Sequence, residues 1–175
     1  MTDTIIGQIL GIIATALTFL SYQANTKRGV LFIQTAATAF TCASYFFLGA
    51  STGAVLNIVC VIRNVTFYFQ KERTRACYIS AGIFAAAMVF LGALSYQGAV
   101  SLLLMLALAA NTIFLSLGNA QILRKSILLT STLVLIYNCF VFSIGGIANE
   151  ALAIISSAIG ILRFRKSKNN KGARL

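Results

Sequence analysis

The sequence predicts an all-α integral membrane protein of seven transmembrane helices, arranged as two parallel three-helix repeats joined by a linker helix. Three observations carry this. Of the 175 residues, 59% are hydrophobic and only 10% charged, with a mean hydropathy of +0.90. A soluble domain is about 45–50% apolar and about 25% charged. The apolar residues fall in runs long enough to cross a bilayer, and the breaks between runs alternate between basic and uncharged.

A spanning helix needs about 20 largely apolar residues, within a range of about 17–25. The first run, 4–22, follows a short segment with Asp3 and no basic cluster, so it reads as a permanent helix and not a cleaved signal. Its Gly7 and Gly11 have the spacing of close helix packing, expected within the bundle. The second run, 30–49, follows Lys27 and Arg28. The third, 54–70, ends at Lys71, Arg73 and Arg75. The fourth, 77–95, leads through an uncharged break to the fifth, 99–118. Arg124 and Lys125 precede the sixth, 126–143, and the seventh, 147–164, runs into a basic tail ending near Arg174. The third and seventh are the least uniform, and a helical hairpin in place of one of them is the alternative. Tyr22, Tyr68, Tyr78 and Tyr96 lie at helix ends, where aromatic rings anchor at the interface.

All fourteen Lys and Arg except Arg63 fall on one side of this layout. Basic loops stay in the cytoplasm. The expected topology is therefore an outer N-terminus, an inner C-terminus and an odd number of spans. The tail is expected to be disordered near anionic headgroups.

The net charge of +11 does not point to nucleic acid, because the charges sit in short clusters between apolar runs and form no basic face. Cys42, Cys60, Cys77 and Cys139 have no CxxC pairing and read as small buried hydrophobes. With no histidine and only Asp3, Glu72 and Glu150 as acids, no metal cage, acid pair or nucleophile–base set can be assembled. No enzyme activity, cofactor or metal is expected.

An internal repeat is expected at an offset of 92. YFFLGASTGAVLN (45–57) over YNCFVFSIGGIAN (137–149) matches Tyr45 with Tyr137, Ser51 with Ser143, Gly53 with Gly145 and Asn57 with Asn149. Each copy runs from one helix round a Gly-containing turn into the next. The division is then 1–76 for the first repeat, 77–98 for the linker helix, 99–164 for the second repeat and 165–175 for the basic tail. Parallel repeats of this kind form binding sites where they meet.

The segments SYFFLGASTGAVLNIVCVIRN and IYNCFVFSIGGIANEA resemble the bacterial inner-membrane YgjV family over nearly the whole chain, most sharply at ASTGA (50–54) and SIGG (143–146). This implies residence in the bacterial inner membrane. The 3+1+3 layout also resembles the SWEET and PQ-loop transporter group, in which an Asn on the third helix of each repeat faces the substrate; Asn57 and Asn149 match those positions. That group carries hinge prolines and this chain has none, with Ser21–Tyr22–Gln23 standing where Pro-Gln is expected.

Polar groups that persist in lipid usually face the bundle interior. Asn57 and Asn149 offer amides suited to a hydroxylated solute, or to bonding between helices. Arg63 lies near the midplane, where an isolated Arg costs at least about 2.5–3.5 kcal/mol on the insertion scale. Glu150 is the only acid within the spans. The two are read as a structural ion pair, as an anion-attracting or proton-coupled pocket, or with Arg63 snorkelling to the surface. Asn64, Asn111 and Asn138 are candidates for the same interior. The expected function is a small-solute transporter or facilitator with a pocket between the halves; the alternative is a non-transporting receptor or accessory subunit on the same fold. The expected partners are the lipid bilayer and a small polar or anionic solute, with a homo-oligomer left open.

Overall fold

A computed structural model describes residues 2–21, 27–71, 74–117 and 120–172, with side chains outside 27–28, 30, 120–121, 123–124 and 163–172. Seven α-helices run through the described residues: α1 Thr2–Ser21, α2 Lys27–Phe47, α3 Ser51–Phe69, α4 Arg75–Leu94, α5 Ala99–Ser116, α6 Ala120–Phe140 and α7 Ile144–Gly172. The fold is all-α, as expected. Five of these are long and apolar enough to cross a membrane. In α2 and α6 the apolar stretches within the described side chains are Leu31–Phe47 and Lys125–Phe140, and of the five spans the third and seventh are the least hydropathic, as the sequence suggests. One expectation is corrected outright. The tail does not become irregular at Arg163, because the α7 backbone continues as helix to Gly172. No proline interrupts it, and each helical residue adds its own backbone bond.

Local chemistry places the helix ends. The Thr74 hydroxyl accepts from Cys77 N–H at 3.3 Å and starts α4. The turn between α4 and α5 ends at Gly98, whose φ of 114° favours glycine.

Around the bundle the order is α1, α2, α3, α5, α6, α7, with α7 closing back on α1. Helix α4 lies outside this ring against α3 and α5. The α1–α7 seam is tight. Gly11 meets the Gly145 backbone, Thr15 Oγ1 donates to Gly145 O at 2.7 Å, and Ser44 Oγ of α2 donates to Gly7 O at 2.7 Å. The Gly7–Gly11 pair thus packs inside the bundle.

The α2–α3 and α6–α7 turns share one design. Ala50 N donates to Tyr45 O at 2.9 Å, and Ser143 N to Asn138 O at 3.0 Å. Gly49 N bonds Phe46 O, and Phe142 N bonds Cys139 O. Gly49 and Phe142 both have positive φ, 72° and 53°. Each turn is held by a glutamine amide from a distant segment: Gln97 Nε2, just before α5, donates to Gly49 O at 3.1 Å and Gln8 Nε2 of α1 to Phe142 O at 2.5 Å. Gln97 Oε1 accepts from Thr52 N and Gln8 Oε1 from Ile144 N.

These turn equivalences lie 93 residues apart, one more than the identities suggested. The slip is visible at the serines, since Ser51 opens α3 whereas Ser143 precedes α7 and caps it by accepting from Gly146 N–H at 3.2 Å. At offset 93 the mates are Tyr45 with Asn138, Gly53 with Gly146, and Asn57 with Glu150.

Phe142 takes the left-handed conformation that its mate assigns to glycine, and its ring is 79% exposed. A bulky L-residue there costs roughly 1–2 kcal/mol. Phe142→Gly is therefore expected to raise the thermal midpoint in detergent, by an amount corresponding to about 0.5–1 kcal/mol. A lower midpoint would show that the ring's outer contacts outweigh the backbone strain.

Candidate functional site

The site is a cavity of about 260 Å³ enclosed by the six-helix ring. That is slightly below the lower end of typical small-molecule sites, about 300–1,000 Å³. Its wall draws on both halves at offset 93: Gln34 with Ile127, Thr38 with Ser131, Thr41 with Val134, Asn57 with Glu150 and Cys60 with Ala153. The turn end is closed by side chains from both halves. Tyr45 Oη donates to Asn138 Oδ1 at 2.5 Å, and Gly53 N–H donates to Tyr137 Oη at 3.1 Å. The two tyrosine rings meet edge to face with centroids 5.8 Å apart. The lining reaches Thr18, Gln34, Leu115 and Ile127 towards the basic-loop end.

Of the seven residues singled out in the sequence, Asn57, Asn64, Asn111, Arg63, Asn149 and Glu150 line this cavity. Asn138, 1% exposed, closes its turn end and lines a small adjoining space instead. Asn57 Nδ2 donates to Gly53 O of its own helix at 2.8 Å, leaving Oδ1 for the interior. Asn111 faces the cavity from α5.

Arg63 is 7% exposed. Its Nη1 donates to Thr112 Oγ1 at 2.8 Å, and its Nη2 and Nε donate to Asn64 Oδ1 at 2.9 and 3.2 Å. All these partners are neutral. They use three of the five N–H donors of a guanidinium, and the remaining two are on a side chain that lines the cavity.

The expected Arg63–Glu150 ion pair does not form. Glu150 Oε1 instead accepts from Asn149 Nδ2 at 3.1 Å, and Ser131 also hydrogen-bonds the carboxylate. The reason is axial position. Arg63 is twelve residues into α3 and Glu150 six into α7. At 1.5 Å per residue they lie about 18 and about 9 Å from the turn end, so about 9 Å of cavity separates their levels.

Sequence reading missed Gln34, Thr38 and Thr41 on α2, and Thr130 and Ser131 on α6. The signal was present as polar residues at helical spacing within otherwise apolar runs. Tyr45 was noted only as a repeat match, and Gln8 and Gln97 not at all. Among the described residues no group of three His, Cys, Asp or Glu is placed to hold a metal.

A helical membrane bundle with a polar, charged interior defines the class of this protein. The chain belongs to the Imp-YgjV family of bacterial inner membrane proteins, whose family model matches residues 5–168. No curated protein and no solved structure matches the chain, so the likeness to the SWEET and PQ-loop group gains no support from them.

Proposed function

We propose that the protein is a small-solute transporter or facilitator of the inner membrane. Its pocket is the cavity between two three-helix halves, 1–76 and 99–164, with the 77–98 segment as linker. The observation that carries this reading is the cavity itself: its wall pairs residues of the two halves at one offset, and a tyrosine and its mate asparagine close one end. Such a closure can open by rocking one half against the other while the walls stay intact. The backbone-tight Gly11–Gly145 seam supplies a pivot without proline. With the basic loops in the cytoplasm, the N-terminus is periplasmic, the C-terminus cytoplasmic, and the Tyr45–Asn138 closure faces the periplasm. The protein carries out no covalent chemistry on its solute.

The test combines accessibility with flux. In a variant lacking the four native cysteines, Asn111→Cys is expected to react with a membrane-impermeant maleimide from the cytoplasmic side only, and adding Tyr45→Ala opens it to the periplasmic side. Uptake of labelled solutes into proteoliposomes is expected to exceed that of empty vesicles. Solute-dependent stabilisation without uptake would replace transport by reception. Reaction from the periplasmic side in the unopened protein would overturn the proposed closure.

A further inference from the structure

We propose that the cavity binds a zwitterion, with its carboxylate on Arg63 and its ammonium on Glu150. This rests on the reading of the cavity as a solute site and names the class of solute.

A guanidinium and a carboxyl group line one cavity without bonding each other. Arg63 has only neutral partners and donors left over, while Glu150 is held by Asn149 and Ser131. Their levels differ by about 9 Å along the helices. An unpaired charge away from water is costly unless a partner of opposite sign reaches it. A simple anion would satisfy Arg63 and leave Glu150 unmatched. A simple cation would do the reverse, and a sugar would match neither. A solute carrying one charge of each sign, separated by several ångströms, meets both.

The wall between the charges fits such a solute. Cys60, Leu108 and Ala153, each nine residues into its helix and so between the two levels, give an apolar passage for a methylene chain, with Thr38 and Thr130 beside it for polar substituents. A guanidinium grips a carboxylate with two parallel bonds, and Arg63 has two N–H donors to give. The charge asymmetry is also specific to this cavity: the mate of Glu150 is the neutral Asn57, and the mate of Arg63 at offset 93 is Ser156. The pocket therefore orients its ligand, carboxylate towards the basic-loop end and ammonium towards the Tyr45 closure.

The experiment uses the full chain in detergent and a series of ω-amino carboxylates from glycine to 6-aminohexanoate, each compared with the matched carboxylic acid and amine by ligand-dependent thermal shift. One of the longer amino acids is expected to bind at least about tenfold more tightly than its matched acid or amine. Arg63→Gln and Glu150→Gln are each expected to weaken it about tenfold or more, and the two losses to add in the double variant. The wild-type comparison stands alone if a variant fails to fold. Equal binding of hexanoate and 6-aminohexanoate, or unchanged binding in a folded Glu150→Gln, would overturn the zwitterion. If simple anions or polyols bind and are taken up while every amino acid is inert, the zwitterion falls and the transport reading survives. If no solute of any class binds or moves, both fall.

Discussion

Gly145→Ala is expected to be among the most destabilising single substitutions in the protein, costing about 3 kcal/mol. A Cβ at Gly145 would overlap the backbone of Gly11 on α1, and the Gly145 carbonyl is also the acceptor for Thr15. Where the neighbour is a flexible side chain, a new methyl can be absorbed by a rotamer change. Here the neighbour is helix backbone, so α1 and α7 must separate along the seam that closes the ring. In lipid, association rests on close packing and hydrogen bonds, with no hydrophobic drive to hold a loosened seam together. The control is Gly82→Ala on α4, where a Cβ meets nothing within 4 Å; it is expected to be neutral, or to stabilise by up to about 1 kcal/mol through helix propensity. Thermal melts in detergent compare the two. Equal midpoints for Gly145→Ala and the parent would mean that these backbones do not touch.

Arg63→Met is expected to divide stability from function. Met is similar in length and apolar, so the substitution removes a charge that costs at least about 2.5–3.5 kcal/mol in the membrane interior. Against that, Asn64 Oδ1 loses its donors at a cost of about 1–3 kcal/mol, while Thr112 still bonds Leu108 O at 2.7 Å. The sum places the variant at or somewhat above the parent in stability. Solute-dependent stabilisation and uptake are expected to fall by at least about tenfold. If Arg63 were a structural strut, the midpoint would drop instead, so a fall of several degrees with ligand binding preserved would refute its role as a ligand-holding group.

Much of the fold was legible because lipid imposes its rules on each segment separately. Apolar length identifies a helix whatever it packs against, and most helix ends fall within about a turn of the expected ones. The larger departures are at the start of α6 and in α7 beyond Phe164, where polar residues extend a helix that hydropathy had ended. The interior asparagines were legible for the same reason, since an amide in an apolar run has to face other protein groups.

What sequence identities could not settle was register. The matches among Tyr45, Ser51, Gly53 and Asn57 favoured an offset of 92, whereas the turn hydrogen bonds obey 93. One residue along a helix is 1.5 Å of rise and about 100° of rotation, enough to replace Asn149 by Glu150 as the mate of Asn57. The paired asparagines thus line one cavity from opposite sides of the ring and are not equivalents. The Gln8 and Gln97 amides carried no signal, because a glutamine near a helix end looks the same whether it faces water or holds a distant turn.

The amino-acid sequence by itself determined that this is a helical membrane protein, because transfer of each segment into hydrocarbon depends on that segment's own length and charge. The tertiary structure alone decided that Arg63 and Glu150 stay apart in one cavity and that Tyr45 meets Asn138. Those outcomes depend on how far one helix slides past another, and that is set by backbone contacts such as Gly11 with Gly145 and by turns closed by the distant Gln8 and Gln97 amides.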